Sequence, residues 1–401
     1  AACYRANAEL GNLGRISWNL GPTLANWMAT EEPDTLDLVV AADRAAPGAP
    51  AIAQAYHHAI LPLAGVRDRR TEIHWGLRDF ELRFGRRPAA MWLPETAVDL
   101  DTLRALHAAG VGATILAPWQ ADVSGLDVRR LYRVDLGGDA AIAVVFYDGE
   151  LSGTVSFAPD ATADADRFAR ERVAPRLAAP LPDGSAPLVV IATDGELYGH
   201  HQPFRDLFLQ RLTAPGPDTP DRGFDVVDLA TVLAGAPVHT LPAVAIRDRT
   251  SWSCHHGVLR WTAECPDVPD GRWKGPLRAA LERLAGAIDA VTDTEGARLP
   301  GAPDPWAARD DYVDVVTGAV EGETFAAGRL SPAAGAAERD RLLELMEAQR
   351  WRLAMFASDG WFWDDPSRTE TKQVLRAAAC ATRLAFGTGS AVERRLVEDL
   401  G

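Results

Sequence analysis

Four short apolar runs, each closed by Pro or by Asp-Gly, constrain the fold of this chain more than any other feature. Ala90-Met91-Trp92-Leu93 stops at Pro94, and Ala113–Ala117 (ATILA) stops at Pro118. Ala141–Tyr147 (AIAVVFY) stops at Asp148-Gly149, and Leu188–Thr193 (LVVIAT) stops at Asp194-Gly195. Runs this short and apolar throughout read as strands buried on both faces, as in a mostly parallel sheet. Helical stripes accompany them. Ile73, Leu77, Phe80 and Phe84 step by four, three and four before Gly85, and Leu100, Leu103 and Leu106 precede Gly110. Such alternation over roughly 200 residues predicts an α/β barrel or a doubly wound sheet.

Beyond about residue 245 the pattern changes. Leu277, Leu281, Leu284 and Ile288 repeat the helical step, residues 334–356 and 368–386 also read as long helices, and strand signals nearly vanish. The expected organisation is an α/β domain over residues 1–245 and a mainly helical domain over 246–401. Stretches rich in Pro, Gly and Asp at 180–187, 214–222 and 296–305 read as surface loops.

Composition narrows the partners. The 401 residues carry a net charge of −15, which repels phosphate backbones and anionic membrane surfaces, so no nucleic-acid or membrane partner is expected. No run reaches the ~20 apolar residues that span a bilayer. Four cysteines (Cys3, Cys254, Cys265, Cys380) are too few for a disulfide scaffold. A reducing cytoplasm fits best. No secretory signal is visible. The sequence opens on Ala1 rather than Met, as a piece of a longer protein would, and its oligomeric state is left open.

Two carboxylate sites follow the apolar runs directly. Glu95 lies just past Trp92-Leu93-Pro94, and Asp194 and Glu196 lie just past Thr193. In parallel α/β barrels the C-terminal strand ends form the active-site face. Two carboxylates there suit glycoside hydrolysis, where one attacks the anomeric carbon and the other protonates the leaving oxygen. The alternative is that Glu95 caps the next helix and Asp194 binds turn amides. His200-His201 could ligate zinc or hydrogen-bond sugar hydroxyls, or simply stand at a helix entry. His255-His256, set between Cys254 and Cys265, matches no common zinc-finger spacing. A structural zinc there stays an alternative, and the expectation is no metal and no cofactor. Trp252, Trp261, Trp273, Trp361 and Trp363 crowd the C-terminal half, the last two beside Asp359 in Ser358–Asp365 (SDGWFWDD). They suit stacking on sugar faces, or a core under a turn. No P-loop, dinucleotide, serine-hydrolase or zincin pattern occurs.

These residues resemble a known family. MWLPETAVD (Met91–Asp99) is similar to the nucleophile motif of glycoside hydrolase family 57. ATDGELYGHH (Ala192–His201) is similar to its acid/base motif. SWNLGPTL (Ser17–Leu24), AQAYHHAILP (Ala53–Pro62), TSWSCHHGVLRW (Thr250–Trp261) and QRWRLAMFASDGWFWDD (Gln349–Asp365) resemble an uncharacterised bacterial subfamily of it. The resemblance implies an incomplete (β/α)7 TIM-like barrel followed by a helical C-terminal domain. It also implies a retaining hydrolase or glucanotransferase acting on α-linked glucans without a metal. By motif position Glu95 is the nucleophile and Asp194 the general acid/base. Trp92, Glu196, His200, His201, Trp252, Asp359, Trp361 and Trp363 are expected to contact substrate. The family's first motif, a His-x-His-Gln-Pro-like element, has no counterpart, which predicts a barrel short of its first strand. The alternatives are a metal-dependent carbohydrate deacetylase and a non-catalytic glucan-binding protein.

Overall fold

A computed structural model describes residues 1–214, 222–301 and 304–400. The chain divides into two units, one of Ala1–Gln54 with Arg83–Trp252 and one of Ala55–Leu82 with Ser253–Gly401. Among the described residues no helix is long and apolar enough to cross a membrane.

In the first unit the apolar runs become strands. β1 (Ala53–Gln54) pairs in parallel with β2 (Met91–Trp92). β3 (Ala113–Leu116) runs parallel to β5 (Ala140–Phe146), with Ala113 opposite Ala143 and Leu116 opposite Phe146. The Thr114 hydroxyl donates to the Met91 carbonyl at 2.8 Å, which ties β3 to β2. One pairing departs from expectation. β4 (Leu131–Gly137) lies antiparallel to β5, because Gly137 and Gly138 take φ values of 107° and 57° and turn the chain straight back.

The run Leu188–Thr193 differs more. It is extended and bonded at Leu188 N–H to the Arg129 carbonyl (2.7 Å), and its Val190 carbonyl accepts from Asp148 N–H (2.8 Å). It forms no continuous ladder, and Ala192 N–H donates to the Ser152 hydroxyl instead of a neighbouring carbonyl. One apolar core joins Ile52, Ala113, Ile115, Ala143, Val145 and Tyr147. A second joins Leu151, Val155, Phe168, Leu197 and Phe208.

The second unit is helical. Lys274–Gly296, Ala336–Ala354 and Thr369–Phe386 match the three predicted helices closely. This unit also takes Ala55–Leu82, which sequence reading placed with the barrel. Tyr56 and Trp75 are buried there with Tyr312, Phe325, Leu342 and Met346 and complete the helical core. Beside it Arg309, fully buried, donates to Asp68 (2.8 Å) and Thr71 (2.6 Å). Arg352 pairs with Asp68 and with Asp289, the latter at 2.8 Å. Both guanidinium charges are thus compensated, as burial requires. Gly360 permits close packing of its turn, since a Cβ there would lie 2.2 Å from a Val374 methyl. Of the expected loops, 180–187 is irregular; residues 215–221 of 214–222 and 302–303 of 296–305 lie outside the described residues.

Candidate active site

Glu95 leaves the C-terminal end of β2 through Leu93-Pro94 and sits in a turn with φ 56° and ψ 21°. Thr96 follows at φ 47°. Two consecutive non-glycine residues in the left-handed region are strained, the β-branched threonine more so. Gln120 holds the strain in place. Its amide donates to the Thr96 carbonyl (2.8 Å), and its side-chain oxygen accepts from the Thr96 hydroxyl (2.9 Å) and Ala117 N–H (2.8 Å). Gln120 is fully buried. Glu95 does not cap the following helix, Leu100–Ala108. Asp99 does, accepting from Thr102 N–H at 2.7 Å.

The half-buried Glu95 carboxylate accepts the Trp252 indole N–H at 2.9 Å, and its backbone carbonyl accepts Trp252 N–H at 3.0 Å. Trp252 meets Trp92 edge-to-face at 5.0 Å and Tyr147 at 6.2 Å. Tyr147 meets Trp119 at 6.0 Å. Trp119 is 46% exposed, and its indole N–H is anchored on the Ser251 carbonyl at 3.0 Å. Burial pushes the Tyr147 phenol up, so it stays protonated. The predicted Glu95, Trp92 and Trp252 therefore come together. Trp119, Tyr147 and Gln120 join them without having been singled out. Two of these had a signal: Ala117-Pro118-Trp119 repeats Leu93-Pro94-Glu95 after its own apolar run, and Tyr147 ends another. Nothing in the sequence around Gln120 marks it.

Asp194 is exposed at the end of the extended Leu188–Thr193 segment. The turn Gly195–Leu197 starts from it with no side-chain cap hydrogen bond. Glu196 accepts the Tyr4 hydroxyl at 3.1 Å. Burial, followed by the Glu196 charge, holds that phenol protonated. The Glu196 carbonyl accepts both His200 N–H (3.1 Å) and His201 N–H (2.9 Å), which leaves the two imidazoles exposed with ring centroids 5.0 Å apart. Asp194, Glu196, His200 and His201 thus share one turn.

In the second unit one expectation is corrected. Trp361 is 1% exposed and stacks on Trp273 at 6.1 Å and 17°. It is a core residue and offers no face to a sugar. Trp363 is 44% exposed with the Arg368 guanidinium 4.4 Å over its ring. The Asp359 side chain is exposed, and its neighbour Ser358 bonds His58 Nδ1 at 2.6 Å.

Residues 51–215 match the family model described as glycosyl hydrolase family 57, and residues 270–401 match a domain of unknown function, DUF3536. No curated protein matches the chain. Among solved structures, an exo-type maltose-forming amylase from Pyrococcus sp. ST04 aligns with a TM-score of 0.77 at 14% identity, over 99% of this chain and 73% of its own. A branching enzyme from Thermococcus kodakaraensis aligns at 0.66 and 15% identity, over 99% and 90%. A 4-α-glucanotransferase from Thermococcus litoralis aligns at 0.56 and 14%, over 95% of this chain and 53% of that one. At such identities the likeness is one of fold, a (β/α)7 barrel-like unit with a helical C-terminal region. Residues 51–215, the stretch that is similar to glycosyl hydrolase family 57, hold both Glu95 and Asp194.

Proposed function

We propose that this chain is a glycoside hydrolase or glucanotransferase that acts on α-linked glucans by double displacement. The observation that carries the reading is Glu95 itself. It is a carboxylate in a strained turn at a strand end, bonded by the indole of Trp252, whose ring meets Trp92 and Tyr147, with Trp119 in turn against Tyr147. The names of the fold relatives, an amylase, a glucanotransferase and a branching enzyme, favour the same substrate class.

In this mechanism the Glu95 carboxylate attacks the anomeric carbon as the glycosidic C–O bond breaks. The Asp194 carboxyl gives its proton to the leaving oxygen. Water or an acceptor sugar hydroxyl then attacks the glycosyl–Glu95 ester, loses its proton to the Asp194 carboxylate and frees Glu95. Trp252 holds Glu95 Oε2 by a charge-assisted hydrogen bond, which fixes the orientation of the attacking carboxylate. The aromatic rings supply apolar faces for the C–H side of a glucose unit. The deacetylase reading finds less support: among the described residues no metal-ligand group contains Asp194, His200 or His201.

The test is product analysis with maltooligosaccharides. Hydrolysis or redistribution of chain length is expected for the wild type and loss by several orders of magnitude for Glu95→Gln. Asp194→Ala is expected to retain turnover of substrates with good leaving groups and to regain rate with azide. Near wild-type turnover by Glu95→Gln overturns the nucleophile assignment. Glucan binding without turnover in the wild type overturns the enzyme reading.

A further inference from the structure

Cys254, His256, Cys265 and Asp267 all lie in the second unit, in the stretch between the two family matches. Two turns deliver them. The first is closed by Gly257 N–H on the Cys254 carbonyl (3.2 Å), with Gly257 at φ 78°. The second is closed by Val268 N–H on the Cys265 carbonyl (2.8 Å). Each turn presents a cysteine and, two residues on, a second donor: His256 in one, Asp267 in the other. One donor atom from each of the four lies within 4.8 Å of every other. Cys254 Sγ is 3.5 Å from Cys265 Sγ, Cys265 Sγ is 3.4 Å from His256 Nδ1, and His256 Nδ1 is 3.3 Å from Asp267 Oδ2.

Those separations are the edges of one small polyhedron. Zinc bonds of about 2.3 Å to sulfur and about 2.0–2.1 Å to nitrogen and oxygen make tetrahedral edges of about 3.8 Å (S–S), 3.5 Å (S–N) and 3.3 Å (N–O). The observed edges fall within about 0.3 Å of these. Softness agrees with size, since two sulfurs and an imidazole select zinc over magnesium or calcium. We propose that Cys254, His256, Cys265 and Asp267 form a structural zinc site. Two thiolates, one carboxylate and a neutral imidazole close the coordination sphere, so no position is left for substrate. The backbone N–H of His255 donates to Asp267 Oδ2 at 2.9 Å and orients that ligand from behind.

The surroundings explain what such an ion would do. Between Ser251 and Gly271 the described chain has no strand and no helix beyond the short turn Leu259–Trp261. Yet Val258 and Trp261 are buried, and the fully buried Lys274 ammonium donates to the Arg260 carbonyl at 2.9 Å. The backbone hydrogen bonds within this long irregular loop are local turns of three or four residues, and a metal clip that joins Cys254 to Cys265, eleven residues apart, adds the longer-range constraint. The site is independent of the glucan chemistry proposed for Glu95 and Asp194.

The experiment uses the full chain, purified without chelator and without a metal-affinity step. Elemental analysis should find about one zinc per chain, released to a chromophoric chelator only after the thiols are modified. Cobalt-exchanged protein should show thiolate charge-transfer bands and the intense visible bands of a tetrahedral ion. Cys265→Ser and Asp267→Asn should lose or weaken the zinc. His255→Ala should keep it, because that 92% exposed ring only approaches Asp267 Oδ2 at 3.5 Å and the backbone N–H that orients Asp267 is retained. Should the cysteine variant fail to fold, the wild-type zinc content and cobalt spectrum decide alone. Protein without zinc that takes up neither zinc nor cobalt when reduced overturns the site. So does a Cys254–Cys265 disulfide in the purified chain, found by mass spectrometry.

Discussion

Replacing Gln120 by alanine tests what holds the Glu95 turn. The side chain makes two bonds to Thr96, one to Ala117 N–H and a longer one, 3.3 Å, to the Thr250 hydroxyl. Thr96 and Ala117 are completely buried. Truncation therefore leaves one backbone carbonyl and one backbone N–H without a partner and out of reach of bulk water. At ~1–3 kcal/mol for each such group, the loss is about 3–5 kcal/mol once the emptied volume is included. The turn it secures is strained at two residues, worth ~1–3 kcal/mol each, so the released backbone relaxes away from its present φ values. Glu95 moves with it, and a displacement near 1 Å costs a reaction of this kind roughly 100-fold. Denaturant melts measure the first effect, and kcat/KM on maltooligosaccharides measures the second. Gln120→Glu keeps the acceptor toward Ala117 but turns a carboxylate oxygen toward the Thr96 carbonyl. It should be as destabilising as alanine at neutral pH and less so in acid, where the carboxyl protonates. A loss below about 1 kcal/mol for Gln120→Ala would refute the reasoning.

Three further outcomes follow from other contacts. Trp252→Phe keeps an aromatic ring against Trp92 but removes the N–H donated to Glu95. A hydrogen bond to a charged group is worth up to ~1.5–3 kcal/mol of stability, so thermal melts should show a loss of up to that order and kcat/KM should fall as the carboxylate loses its fixed orientation; unchanged melts and kinetics would remove Trp252 from the site. Trp361→Ala should cost ~3–5 kcal/mol of stability, as for any buried tryptophan, whereas Trp363→Ala should cost under about 0.5 kcal/mol; the reverse order in thermal melts would contradict the burial described here. Burial alone would raise the Asp68 pKa, but the Arg352 and Arg309 charges outweigh it and hold the carboxyl below its ordinary value. The folded pKa is therefore depressed: the stability Asp68 adds is present above the unfolded value of about 3.9 and disappears as pH falls through the lower folded value. Melts of Asp68→Asn should lose that acid-range slope, and a slope equal to the wild type would show that other groups carry it.

Local pattern by itself settled a good deal about this protein. Strands at Met91–Trp92, Ala113–Leu116 and Ala140–Phe146, and the long helices of the second unit, stand where apolar period and Pro or Gly stops put them, because those signals act within one element. Glu95 was legible for the same reason, as a carboxylate one Pro beyond a strand. What tertiary structure alone decided is which elements meet. Leu188–Thr193 has strand composition, but its neighbours offer a serine hydroxyl where a ladder would need a carbonyl. Trp361 and Trp363 stand two residues apart in one motif, yet the turn buries the first and exposes the second, and spacing cannot say which side faces the core. Residues 55–82 belong with helices more than 200 positions away because Tyr56 and Trp75 complete an apolar core assembled from distant segments. Gln120 became visible only when two strand ends came together and left a carbonyl and an N–H to be satisfied in the dark between them. Such unpaired polar groups arise from the fold, so the residue that answers them carries no mark in the chain.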